Sequence, residues 1–175
     1  PQASIAALQN VTCYGISNGS ASVSLLGGTS PFNYAWTCSP QNNSSVANLS
    51  PGAYSVLVTD ANNCTATIPF AITQPTELIS SASSTNVNCF GGNNGTATIV
   101  GSGGTSPYQY LWAHDLSTNS TSSGLSAGSY QAIITDANGC TSSSSIPIAQ
   151  PSALNLSATS LPSYCGNANG SVEAI

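Results

Sequence analysis

Six cysteines are the most reactive side chains in this 175-residue chain, and their spacing is regular. Cys13, Cys89 and Cys165 lie one period apart (89 − 13 = 165 − 89 = 76), and Cys64 and Cys140 share that offset. Cys38 has no counterpart, because His114 stands in its place. Cysteines in a chain without another reactive signature point to an oxidising, extracellular setting where thiols serve as crosslinks. The repeat favours Cys13 with Cys64 and Cys89 with Cys140, since both pairs then have one spacing (64 − 13 = 140 − 89 = 51). Each bond of that kind would add roughly 4 kcal/mol in the chain-entropy account. Cys38 and Cys165 are then unpaired or intermolecular. A buried thiol is the favoured role for Cys38, and the repeat partner of Cys165 falls beyond residue 175.

The remaining candidate chemistry is sparser. Asp60 and Asp136 each head an Asp-Ala-Asn-x-Cys turn whose oxygens are hard ligands of the kind calcium takes. One carboxylate per turn is thin for that ion, so the expected role is an Asp closing its own turn, with no metal and no cofactor. His114 neighbours Asp115, but a Ser-His-Asp relay needs three converging groups, and the first repeat has no histidine. No catalytic residue is expected, and the chain is read as non-enzymatic. Trp36 and Trp112, each two residues after a tyrosine (Tyr34 and Tyr110), would form a glycan-binding platform if exposed. The favoured role is that each tryptophan plugs a small core.

Composition narrows the partners. The chain has no lysine or arginine, five acids, and only 3% charged residues. Nucleic-acid binding through phosphate neutralisation and attraction to anionic membranes both need protein cations, so both are excluded. No run of about 18 apolar residues offers a membrane span, and no basic-then-apolar start resembles a signal peptide. The expected reading is a mature or excised segment.

The elements that position these residues follow from the repeat. Gly27, Gly28, Thr29, Ser30 and Pro31 recur as Gly103, Gly104, Thr105, Ser106 and Pro107, and Leu49, Gly52 and Tyr54 recur as Leu125, Gly128 and Tyr130. Thr59-Asp60-Ala61-Asn62 recurs as Thr135-Asp136-Ala137-Asn138, and Gln74-Pro75 as Gln150-Pro151. Residues 1–74 and 75–150 are thus two full repeats and 151–175 the start of a third, incomplete one. Short apolar or alternating runs between turn residues predict six strands in the first repeat, at 5–11, 20–25, 32–37, 44–47, 53–59 and 65–72. Residues 141–145 have the look of a serine-rich linker, but their register makes them the last strand of repeat two. Leu-x-x-Gly-x-Tyr matches the tyrosine corner of Greek-key sandwiches. The expected fold is all-β, a tandem of Ig-like Greek-key β-sandwiches with a 76-residue repeat. Only a residue or two of non-strand chain should separate them, which implies a stiff string.

The ordered motifs resemble the SprB repeat: Cys-x-Gly-x-x-Asn-Gly-Ser/Thr-Ala, Gly-Gly-Thr-Ser-Pro, Leu-x-x-Gly-x-Tyr, Thr-Asp-Ala-Asn-x-Cys and Gln-Pro, each present in both full repeats. Such repeats occur in very large cell-surface adhesins of gliding Bacteroidota and in secreted relatives exported by the type IX system. The resemblance implies a structural array in an extracellular filament or adhesin stalk. Its partners would be neighbouring repeats or copies of itself, with surface glycans as the alternative ligand. Cys38, and Asn63 where the second repeat has Gly139, depart from the pattern.

Overall fold

Alternation decides the local structure. In β2 (Gly19–Leu26), Ala21 and Val23 point inward and are buried while hydroxyl residues intervene, a period of two that suits a pleated strand. The computed structural model describes residues 1–161 and 171–174. β1 (Gln2–Gln9), β2 and β4 (Ser45–Leu49) form one antiparallel sheet in the order β1-β2-β4. β3 (Asn33–Trp36), β5 (Gly52–Thr59) and β6 (Thr65–Ile72) form the facing sheet in the order β3-β5-β6. The chain changes sheet at each of β2–β3, β3–β4 and β4–β5, which is an Ig-like Greek key.

The second sandwich repeats this order. β7 (Ile79–Thr85), β8 (Gly95–Ser102) and β10 (Thr121–Leu125) face β9 (Gln109–Trp112), β11 (Gly128–Thr135) and β12 (Thr141–Ile148). Beyond it, β13 (Ala158–Leu161) pairs antiparallel with β14 (Ser171–Ala174). Cys165 lies outside the described residues.

Each sandwich has its own core. Val11, Ala21, Val23, Trp36, Leu49, Val56, Val58 and Ile72 pack in the first. Their equivalents Val87, Ala97, Ile99, Trp112, Leu125, Ala132, Ile134 and Ile148 pack in the second. All six strands expected of the first repeat are present, with ends moved by up to three residues. Val11, expected inside β1, sits beyond its end, buried, with its amide donating to the Thr73 carbonyl.

Both tryptophans are core plugs, so Trp36 and Trp112 are not a glycan platform. They are 6% and 0% exposed, and each indole Nε1 donates to a loop carbonyl at 2.8 Å, of Asn43 and Asn119 respectively. Their place at the inward face of β3 and β9 leaves no ring face for a sugar. Tyr34 and Tyr110 are half-buried and pack against the same cores.

The two cores differ where one side chain has replaced another. Phe70 lies between Trp36 and Tyr54 in the first sandwich, with centroids at 5.8 and 5.6 Å. In the second, position 146 is isoleucine and His114 fills that bracket, 5.9 Å from Trp112 and 4.9 Å from Tyr130. The ring already in place leaves Cys38 outside. Its thiol is free and exposed rather than buried. The serine-rich β12 closes its edge with hydroxyls: Ser144 Oγ lies 2.8 Å from Ser80 Oγ, and Ser142 Oγ donates to Ser80 Oγ at 3.1 Å.

The link between the sandwiches is longer than expected. Six residues, 73–78, separate β6 from β7. They are nevertheless tied down. The Thr73 amide donates to Asn10 Oδ1, the Thr76 carbonyl accepts from the Gly104 amide, and Leu78 is buried in the second core.

Candidate functional site: the junction between sandwiches

Two loops meet where the first sandwich abuts the second. One is the β1–β2 loop, shaped by three polar residues. Asn18 Oδ1 accepts from the Thr12 amide at 3.1 Å, Asn18 Nδ2 donates to Thr12 Oγ1 at 2.8 Å, and Gln74 Oε1 accepts from the Gly15 amide at 2.9 Å. Cys13 is thereby held at the end of the sandwich from which the linker leaves.

The other loop is the β11–β12 hairpin, built on Asp136. Its Oδ1 accepts from the amides of Asn138 and Cys140, and its Oδ2 from that of Thr105, all at 2.9 Å. The carboxylate is 4% exposed and closes its own turn. Asn138 Nδ2 donates to Thr105 Oγ1 and, across the junction, to the Thr12 carbonyl, both at 3.0 Å. Between the loops is a shallow cleft of about 330 Å³ lined by Cys13, Tyr14, Glu77, Leu78, Gly139 and Cys140.

The crosslink forms here, between repeats. Cys13 is bonded to Cys140 with Cα atoms 5.7 Å apart, while Cys64 and Cys89 are free and exposed. The expected pairs Cys13–Cys64 and Cys89–Cys140 are therefore corrected. The physical reason is polarity of the sandwich. Gln9 pairs with Ser20 at one end of the β1–β2 ladder, whereas Thr59 pairs with Thr65 at the opposite end of β5–β6. Eight-residue strands separate the two loops by about 26 Å, far beyond the Cα separation of about 4.4–6.8 Å that a disulfide allows. The order of loops in a Greek key carried this signal, but matching intra-repeat spacing concealed it.

Asp60 builds the same turn at the end of the first sandwich away from the junction. Its Oδ1 accepts from Asn62 and Cys64 amides at 2.9 Å and its Oδ2 from Thr29 at 3.2 Å. Burial opposes its ionisation, but the amides of Cys64, Thr29 and Asn62 outweigh it and lower the pKa below 3.8. A depressed folded-state pKa contributes stability present above the unfolded value and lost as pH falls through the folded one. Stability should therefore decline with acidification below about pH 3.8, and Asp60→Asn should flatten that part of the profile. A pH series of denaturant midpoints reads both; an unchanged slope in the variant contradicts the role.

His114 does not assemble a relay. Ser122 Oγ at 3.3 Å and Asp115 Oδ2 at 3.5 Å both approach the same nitrogen, Nε2, whereas a triad needs opposite ring nitrogens. Among the described residues no three His, Cys, Asp or Glu side chains gather as a metal site, and no helix is long and apolar enough to cross a membrane.

Residues 5–44 and 81–114 match the SprB repeat, and the two matches begin one sequence period apart. One matched region lies in each sandwich. No curated protein matches the chain. Among solved structures, the chain is similar to a C-terminal fragment of intimin in complex with the translocated intimin receptor's intimin-binding domain. Identity is 11% and the TM-score 0.45, over 91% of this chain and 66% of that one. The two Ig domains of DIP-gamma are similar at 13% identity and TM-score 0.38, over 86% and 98%. Domains 4–9 of the surface-layer protein SbsC are similar at 15% and 0.34, over 98% and 36%. The motifs shared by the two repeats gather largely at the sandwich ends: Asn18 and Gln74 shape the Cys13 loop, Asp136 the Cys140 hairpin, and Tyr54 and Tyr130 donate to the Ser50 and Ser126 carbonyls.

Proposed function

We propose that this chain is a load-bearing part of an extracellular filament or cell-surface adhesin stalk. Residues 1–74 and 75–150 serve as its structural units and 151–175 open a third. The observation that carries this reading is the Cys13–Cys140 bond, which fastens one sandwich to the end of the next. A bond placed there restricts bending between units, and a projecting rod needs that restriction. Disulfides persist in oxidising surroundings, which supports a location outside the cell. The gliding and type IX export context comes from the family resemblance. No lysine or arginine is present, so trypsin-type proteases find no site in such a stalk. The glycan reading has lost its tryptophans and is set aside.

Small-angle scattering tests the rod. Each unit should add roughly 30–40 Å, and the oxidised chain should keep that extended profile while reduction broadens it. A profile of side-by-side sandwiches, or one indifferent to reduction, contradicts the stalk.

A further inference from the structure

The thiols of Cys64 and Cys89 sit in frames that share the main backbone-closing hydrogen bonds of the bonded pair. Around Cys89, the Asn88 amide donates to Asn94 Oδ1 at 3.0 Å and the Gly91 amide to Gln150 Oε1 at 2.9 Å, as Thr12 and Gly15 do beside Cys13. The Val87 amide donates to the Ala149 carbonyl at 3.0 Å, as Val11 does to Thr73 at 3.1 Å. Around Cys64, Asp60 accepts from the Cys64 amide at 2.9 Å, and Asn62 Nδ2 donates to Thr29 Oγ1 at 3.0 Å, as Asp136 and Asn138 do beside Cys140. The second donor of Asn138 crosses the junction to Thr12. Asn62, its equivalent, lies at the end of the first sandwich that faces away from the second. Beside Cys89, Phe90 is 59% exposed.

We infer that Cys64 and Cys89 are the two open halves of a head-to-tail disulfide staple, each completed by a cysteine of an adjoining repeat of this same kind. Cys89 takes the cysteine of the following repeat's Asp-Ala-Asn-x-Cys hairpin. Cys64 takes the loop cysteine of the preceding repeat. The two halves lie at opposite ends of the chain's pair of sandwiches, so one rule joins every neighbour and no bond lies within a repeat. Cys38 has neither frame and stays out of the scheme.

Closure needs an oxidant, here a small-molecule or protein disulfide. One cysteine thiolate attacks a sulfur of that disulfide, whose S–S bond breaks and expels a thiolate. The second cysteine's thiolate then attacks the mixed disulfide and expels the other. The new S–S bond forms as two protons and two electrons pass to the oxidant, leaving it as a dithiol or two thiols.

The inference rests on the array reading, and two lengthened chains test it. One carries a copy of residues 1–76 ahead of Pro1, with Cys64→Ser and Tyr14→Phe in the copy, so that its Cys13 peptide has a mass of its own; the second repeat has Phe90 at the equivalent of Tyr14. The other continues after Ile175 with a copy of residues 101–150, which completes a third repeat in register and carries Gly139→Asn, the residue the first repeat has at Asn63, so that its Cys140 peptide has a mass of its own. Both are refolded with oxidised glutathione, alkylated, digested with elastase without reduction and mapped by mass spectrometry. The expected bonds are Cys64 with the added copy of Cys13, and Cys89 with the added copy of Cys140. Cys38 remains alkylated throughout, and in the unextended chain Cys64 and Cys89 alkylate as Cys38 does. Retention of the Cys13–Cys140 peptide reports that the original sandwiches folded, and each extension reads one half of the staple independently. Cys64 or Cys89 still alkylated, capped by glutathione, or bonded within its own repeat overturns the inference. An extended scattering profile alongside that result leaves the stalk reading standing.

Discussion

Replacing Cys13 and Cys140 together with serine is expected to lower the stability of the oxidised chain by about 5 kcal/mol for complete unfolding, because the bond spans 127 residues of sequence. The double replacement avoids a stranded thiol at Cys140 and removes the one covalent tie between the sandwiches other than the linker. What stays at the junction is thin: the Asn138 to Thr12 hydrogen bond and the anchored residues 73–78. The two sandwiches should then unfold in separate transitions rather than as a coupled pair, since a domain that opens no longer drags a crosslinked neighbour. Guanidinium titration followed by tryptophan fluorescence reads this, as each core holds one tryptophan. Cys38→Ser should leave the curve in place. An unmoved midpoint in the double variant would show that the bond contributes nothing to the native array.

Gly103→Ala is expected to be the most damaging methyl group added to any of the described glycines. Gly103 has φ +73°, and a Cβ there would collide with the Glu77 carbonyl oxygen. That oxygen belongs to the linker, so relief requires moving backbone between Thr76, bonded to Gly104, and Leu78, buried in the second core. The left-handed backbone alone costs about 1–2 kcal/mol for a residue with a side chain. Forcing the linker off its seat should bring the total above about 4 kcal/mol, the range of severe core damage. Gly91→Ala separates the two costs. Its φ is +71° and an added Cβ meets nothing within 4 Å, so only the conformational part applies. Urea midpoints of the second sandwich should fall steeply for the first variant and slightly for the other. Equal losses would mean that the linker does not press on Gly103.

Much of the architecture was legible because the chain states it twice. Trp36 and Trp112, Leu49 and Leu125, and Ile72 and Ile148 recur at one offset, and each pair is buried in equivalent places. Register also rescued β12, whose serines alone read as a linker. Other residues escaped because their role depends on a neighbour remote in sequence. Cys38 is exposed since Phe70 already fills the space that His114 takes in the second sandwich, and no local pattern reports which ring arrives first. The sequence marks Gln74 as a junction residue, whereas the grip of its side chain on the Cys13 loop depends on a partner 59 residues away.

The 76-residue period, the strand alternation and the turn chemistry of Asp60 and Asp136 were determined by the sequence alone, because each depends on residues near one another or on an exact recurrence. The disulfide partners were decided by tertiary structure. Equal spacing made Cys13 and Cys64 look like a pair, yet a Greek key sends their loops to opposite ends of one sandwich, and a sulfur reaches only a few ångströms. End-to-end stacking then brings Cys140 of the next repeat to the place where Cys64 was expected.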